Sequence, residues 1–217
     1  MRRVILAMLL LAGMPAGAFA TNDLAYGPAL SFAAVRNGQT IGHHGLTFRR
    51  DGAQLTVSTS IELAVKFMGF TAYRYTHRAQ EVWSGDVFQS LAAETDDNGK
   101  KFSVRIGRGA AHLDVERKVR AETLRASLPL QLLPSSHWNV RQVRQSALVN
   151  TQDGTEARIR VSILGRETIA TATARIDATR YRYEGDIKMD QWFDDSGRWV
   201  KMSFVASDGS TVEYIQQ

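Results

Sequence analysis

The amino-acid sequence predicts an all-β fold, a single large antiparallel meander that curls into a barrel or half-barrel. Three observations support this prediction: turn dipeptides recur along the chain, the segments between them alternate apolar and polar residues, and the connections are short. The dipeptides supply the positive φ angles that tight hairpin turns need. They are Asn37-Gly38, Asp51-Gly52, Asn98-Gly99, Asp153-Gly154, Ser196-Gly197 and Asp208-Gly209.

The period-two alternation is clearest between Leu55 and Phe67, where every second residue is apolar or a threonine and the residues between them are mostly polar. Short connections make neighbouring strands antiparallel, because a parallel pair needs a crossover of about a dozen residues. Since open sheets rarely exceed ~10 strands, a meander of this size is expected to curl. Strands are predicted at 26–36, 39–50, 53–67, 70–84, 87–95, 100–107, 111–117, 155–165, 167–173, 175–184, 186–193, 198–206 and 210–216.

One short helical or irregular segment is predicted near 129–145, because turn dipeptides stop there and two prolines, Pro129 and Pro134, appear. From Ser135 onward the sequence predicts a serine-capped helix of two or three turns. Long irregular connections often act as lids or binding elements, so 129–144 is expected to form a lid.

The sequence of 217 residues predicts a signal peptide at 1–20, cleaved after Ala20, and a single antiparallel β domain at 21–217. The peptide begins with basic residues, continues with the apolar run Val4 to Leu11 and ends with the small residues of a cleavage site. This run is shorter than the ~20 residues that span a bilayer. We therefore expect a periplasmic or secreted chain that does not span the membrane.

The composition excludes several kinds of chemistry. The sequence has no cysteine, so it offers no thiol nucleophile, thiolate metal site or disulfide.

Removing Arg2 and Arg3 with the signal peptide leaves 25 basic against 22 acidic residues, a net charge of +3. In an exported protein such a charge favours lipid head groups or acidic polysaccharide as partners, not nucleic acid, although a solvated basic face needs no partner at all.

Several segments, in order along the chain, resemble an uncharacterised family of exported bacterial proteins, a domain of unknown function. They are Asn37-Gly38-Gln39-Thr40-Ile41-Gly42-His43, Tyr73-Arg74-Tyr75-Thr76-His77-Arg78, Glu81-Val82-Trp83, Thr95-Asp96-Asp97-Asn98-Gly99-Lys100, Leu133-Pro134-Ser135-Ser136-His137-Trp138-Asn139 and Thr151-Gln152-Asp153-Gly154. The fold implied by this resemblance is similar to that of lipoprotein carriers, a curled antiparallel sheet around an apolar cavity. The resemblance implies no catalytic residues.

Two groups of residues are candidates for ligand binding, one on the predicted strand 70–84 and one in the predicted lid. Tyrosine, tryptophan and histidine combine an apolar body with a polar tip, which suits a cavity wall or rim, although the same strand face would also serve as plain core. The candidates are Tyr73, Tyr75, His77, Trp83, Ser135, Ser136, His137, Trp138 and Asn139.

No metal site, cofactor or catalytic residue is predicted. His43 and His44 are adjacent on a strand and point to opposite faces, so they do not ligate one metal together. Ser136 and His137 lack a Gly-x-Ser-x-Gly elbow, and adjacency alone does not set nucleophile–base geometry.

Three functions are consistent with these patterns. The preferred hypothesis is a carrier or sensor that binds a lipid or another apolar or amphipathic envelope ligand, because a sheet of this size has more inward face than a packed core needs. The alternatives are an envelope hydrolase with His137 or His77 as base, and a non-catalytic module that joins an envelope protein complex through a sheet edge.

Overall fold

The chain forms fifteen strands and one short 3₁₀ helix in a computed structural model that describes residues 26–120 and 122–217. The predicted signal peptide at 1–20 lies outside the described residues. The strands are β1 (Ala29–Arg36), β2 (Gln39–Asp51), β3 (Gln54–Phe67), β4 (Phe70–Ser84), β5 (Val87–Asp97), β6 (Lys100–Arg108), β7 (Leu113–Val119), β8 (Glu122–Leu128), β9 (Leu133–Pro134), β10 (Ala147–Val149), β11 (Glu156–Ala170), β12 (Arg175–Gly185), β13 (Met189–Asp194), β14 (Trp199–Val205) and β15 (Thr211–Gln216).

All fifteen strands belong to one sheet, with β1 at its centre. From β1 the sheet extends through β2 to β8 on one side and through β15 back to β9 on the other. Neighbouring strands are antiparallel, apart from the short parallel pair β9 and β10. The predicted all-β, antiparallel, curled fold is confirmed, and the sheet is not closed, because β8 and β9 remain its edges.

A short connection between the two edges forces the sheet to curl. Leu128 ends β8 and Leu133 begins β9, so only residues 129–132 join the edges. An extended chain advances ~3.3–3.6 Å per residue, so these two Cα atoms lie within roughly 18 Å of each other. At ~4.8 Å between strands, the edges of a flat sheet of this width would lie roughly 65 Å apart.

Residues 132–144, which we call the inner segment, pack against the concave face of the curl. The ring of Trp138 lies 5.5 Å from Trp83 and 5.7 Å from Phe48, centroid to centroid. The Tyr26 hydroxyl donates to the carbonyl oxygen of Trp138 at 2.6 Å. Trp138 is only 7% exposed. The segment expected to cover the interior as a lid therefore fills part of it.

The helix within the inner segment is shorter than predicted and has a different cap. A 3₁₀ helix covers Val140–Arg144, and the side chain of Asn139 accepts a hydrogen bond from the Arg141 N–H. Ser135 is not a cap, because its backbone N–H donates to the Val149 carbonyl at 2.9 Å and holds it in extended structure.

Among the described residues no helix has the length and hydropathy to cross a membrane.

The strand prediction was wrong in two further respects. β8, β9 and β10 lie between residues 117 and 155, where no strand was predicted. The predicted strands 155–165 and 167–173 form the single strand β11, because a bulge between Ile163 and Gly165 absorbs the break in the pattern. Gly165 has a φ of +127°, which residues with a Cβ rarely adopt, so this glycine permits a bulge within one continuous strand.

The concave face carries the core, as the alternation of β3 predicts. Its inward residues Leu55, Val57, Thr59, Ile61 and Leu63 are all buried. They belong to, or border, a core that also contains large side chains from both halves of the sheet, among them Phe32, Trp83, Phe88, Phe193 and Trp199.

Candidate functional site

The curl forms two adjoining, partly open cavities beside this core. The larger has a volume of about 880 Å³, and the smaller has a volume of about 190 Å³. Ile61, Tyr75, His137 and Ile187 line both cavities, so the two spaces adjoin along a shared wall.

The larger cavity has mainly apolar walls. Alternate residues of β2, β3, β4, β13, β14 and β15 point inward, as the pleat of antiparallel strands requires. The apolar lining includes Ile41, Leu63, Val65, Met189, Met202, Phe204 and Val212. Such walls favour an apolar occupant, because the transfer of apolar surface out of water is favourable.

Charged side chains line the larger cavity only where it is exposed or half-buried. Arg36 forms an ion pair with Asp208, and Asp97 accepts a 2.8 Å hydrogen bond from the Tyr73 hydroxyl. Lys66 and Lys188 also line the cavity and are solvent-exposed. The larger cavity therefore combines an apolar interior with a charged rim.

The smaller cavity is lined by three histidines, His44, His77 and His137. The Nδ1 atom of His77 lies 2.8 Å from Thr95 Oγ1, and Nδ1 of His137 lies 2.9 Å from Nε2 of Gln191. Burial lowers the pKa of His77 and of His137 to about 4. Burial, reinforced by His137 and His77, also lowers the pKa of His44. All three rings are therefore neutral at pH 7.

His137 reaches the cavity from a strained backbone position. Its φ is +71°, in the left-handed region that residues other than glycine seldom adopt. The Trp138 N–H donates to the Ser136 carbonyl at 2.9 Å and closes the tight turn around it. Strain of this kind tends to concentrate at functional sites, where the surrounding packing maintains it.

Several polar atoms around the smaller cavity are buried without a hydrogen-bond partner in the described part of the chain. They are both ring nitrogens of His44 and Thr59 Oγ1, and Gln191 Oε1 lies beyond His137. An unsatisfied buried polar atom costs about 1–3 kcal/mol, so native proteins seldom keep one without a reason. Their concentration here marks a place where a polar group of a ligand would gain hydrogen bonds.

Glu81 lies behind this cavity, fully buried in the core. The indole N–H groups of Trp83 and Trp138 donate to its Oε2 atom at 2.9 and 3.4 Å. Burial raises the pKa of Glu81 to about 7, although Ser136 and the two indoles act in the opposite direction. The carboxyl group is thus close to half-protonated near neutral pH.

The structure divides the predicted binding residues between the cavities and the core. Tyr73 and Tyr75 line the larger cavity, and Tyr75, His77, Ser135, Ser136 and His137 line the smaller one. Trp83 and Trp138 lie in the core, and Asn139 caps the 3₁₀ helix. The aromatic pattern alone does not distinguish a wall that faces a cavity from one that faces another side chain.

Sequence reasoning missed His44, Thr59 and Gln191 as parts of the site. His44 lies on the same buried face of β2 as Leu46 and Phe48, so period-two alternation could have placed it inside. Its neighbour His43 is exposed on the opposite face. No local signal identifies Gln191, because it reaches His137 across 54 positions of sequence.

The arrangement does not form a recognisable catalytic or metal centre. The Ser135 hydroxyl accepts a 3.2 Å hydrogen bond from the Thr151 N–H, and no hydrogen bond joins either serine to a histidine among the described residues. Within 26–120 and 122–217 no group of three histidine, aspartate or glutamate side chains is placed to hold a metal ion.

An open, curled antiparallel sheet around internal cavities defines a β-barrel-like protein. The chain belongs to a family described as a domain of unknown function, DUF6134, which it matches over residues 32–217. It is similar in structure to a crystallised β-barrel-like protein from Brucella abortus described by a different domain of unknown function, DUF1849. That likeness has a TM-score of 0.63 at 7% identity, over 87% of this chain and 94% of the other, and it shows the fold alone. No curated protein matches the chain.

Replacing His44 by phenylalanine should raise the free energy of unfolding by about 1–3 kcal/mol, because the aromatic contacts are kept and two unsatisfied buried nitrogens are removed. Urea denaturation at pH 7.5 measures the change. His43→Phe, on the exposed face of the same strand, is the matched control and should stay within about 0.5 kcal/mol of the parent protein. Destabilisation by His44→Phe alone would mean that the ring has a hydrogen-bond partner in solution.

Replacing Glu81 by glutamine should stabilise the protein, and the gain in free energy of unfolding over the parent protein should increase as the pH rises. The folded-state pKa of Glu81 is raised from 4.5 to about 7, so its contribution to stability is complete below pH 4.5 and is lost as the pH rises through 7. Glutamine does not titrate, and the difference between the two proteins should therefore grow by about 3 kcal/mol between pH 4.5 and 8. Urea denaturation across this range measures it, and a difference independent of pH would contradict a raised pKa.

Proposed function

We propose that this chain is a non-catalytic binding protein, a carrier or sensor, for an amphipathic ligand. The observation that carries the proposal is the cavity of about 880 Å³ with apolar walls. Binding sites for small molecules are typically concave, mostly apolar and about 300–1,000 Å³ in volume, with a few convergent polar groups.

The two cavities suggest how such a ligand is divided between them. Its apolar body occupies the larger cavity, and an uncharged polar group, such as a hydroxyl or an amide, meets the smaller one. Neutral imidazoles both donate and accept hydrogen bonds, and the unpaired Thr59 hydroxyl adds further capacity. A charged group would lose its hydration at this depth and remains at the rim, near Lys66 and Lys188.

A hydrolase is the second candidate, because the smaller cavity brings two serines and three histidines together. A serine nucleophile needs a base within about 2.6–3.2 Å and a third group that orients the base. The amide of Gln191 beside His137 is not the carboxylate of a Ser-His-Asp triad. This arrangement favours binding over catalysis.

We also propose that the protein works in the cell envelope after removal of residues 1–20. The charged start, apolar run and small residues of this segment support export. N-terminal sequencing of the protein from a periplasmic fraction should begin at Thr21. A chain that keeps Met1 in the cytoplasmic fraction would contradict the proposal.

Substituting Val65 by tryptophan should weaken ligand binding at least tenfold, because Val65 lines the larger cavity and the indole would occupy part of it. Titration with the apolar dye N-phenyl-1-naphthylamine, followed by displacement with lipids of different head groups, measures binding. Ser60→Trp is the matched control, since Ser60 is exposed on the same strand. Absence of dye binding by the parent protein, or equal binding by Val65→Trp, would overturn the proposed function.

A further inference from the structure

The hairpin of β3 and β4 continues past the end of its registered pairing with β2 and β5. The registered pairing of β3 with β2 ends at Leu63, and that of β4 with β5 ends at Tyr75. The two strands nevertheless stay paired with each other as far as Phe67 and Phe70. At ~3.4 Å per residue, the two-stranded ribbon of residues 64–74, which we call the arm, extends on the order of 15 Å past Leu63.

The tip of the arm is apolar and faces solvent. Met68 is 82% exposed and Phe70 is 80% exposed. Val205, which also lines the larger cavity, is 69% exposed. Neighbouring exposed apolar side chains on a projecting element often mark an interaction site.

The turn at the tip keeps its methionine at a conformational cost. Met68 and Gly69 have φ angles of +48° and +84°, nearly the same as those of the Asn98-Gly99 turn. Asparagine tolerates this left-handed conformation better than methionine, and Asn-Gly is the preferred pair in such hairpins. Met68 therefore occupies a position where asparagine would favour the fold.

The arm is also basic. Residues 64–74 contain Lys66 and Arg74 and no acidic residue. Lys188 lies on the same rim as Lys66, and neither lysine has an ion-pair partner in the described ranges 26–120 and 122–217. The nearby acidic groups are engaged, Asp208 with Arg36 and Asp97 with Tyr73.

From this combination we infer that the arm docks on an anionic lipid bilayer, with Met68 and Phe70 inserted at the boundary of head groups and acyl chains. Transfer of apolar side chains from water to this boundary is favourable, and the flanking lysine and arginine are attracted to the lipid phosphates. Val65, Ala72 and Tyr73 of the arm line the larger cavity, so docking places that cavity beside the bilayer. The inference goes beyond ligand binding, since an empty protein would dock as well.

Co-sedimentation with phosphatidylglycerol vesicles, compared with phosphatidylcholine vesicles, tests this inference. The parent protein should prefer the anionic vesicles and lose affinity at high salt. The double variant Met68→Asn with Phe70→Thr should bind them at least tenfold more weakly, and Met68→Asn alone should not lower the melting temperature. Ile163→Thr, at a side chain 69% exposed on β11, is the matched control and should bind as the parent protein does.

Three results would overturn the inference: no vesicle binding by the parent protein, unchanged binding by the double variant, or an equal loss with Ile163→Thr. Dye binding measured on the same proteins separates this inference from the proposed function. Met68 and Phe70 do not line either cavity, so the double variant should keep the affinity of the parent protein for N-phenyl-1-naphthylamine.

Discussion

The four-residue connection between the edge strands constrains the rest of this molecule. Residues 129–132 tie β8 to β9, and the sheet has to curl until its edges lie close together. The chain then enters the concave side, where Trp138 packs against Trp83 and Phe48. One part of the interior is thereby filled, and the remainder stays open as two cavities.

Buried polar groups lie both beside the cavities and in the filled part of the interior. His44 and Thr59 are buried beside the smaller cavity with unsatisfied polar atoms, and the Glu81 carboxyl group is buried against the indoles of Trp83 and Trp138. Burial of the surrounding apolar side chains offsets the desolvation cost of these groups. Together with the left-handed backbone at His137, the groups beside the smaller cavity bring several unfavourable local interactions to one place.

Much of the fold could be predicted because antiparallel hairpins are local structures. The inward residues of β3, from Leu55 to Leu63, follow from alternation alone. The candidate site was only partly predictable. Ser135, Ser136 and His137 were identified in sequence, but the pairing of His137 with Gln191 depends on two distant segments meeting inside the curl. The bulge at Gly165 was predicted as a break between two strands, because it interrupts the two-residue alternation.

The sequence by itself determined the all-β class, most strand boundaries and the face on which each strand is apolar, because these depend on turn residues and on the two-residue period of the pleat. Tertiary structure alone decided that β1 pairs with β15, that the expected lid lies inside, and that three histidines share one cavity. These features depend on how far the sheet curls. The curl is set by a connection between distant edges and leaves no periodic trace in the chain.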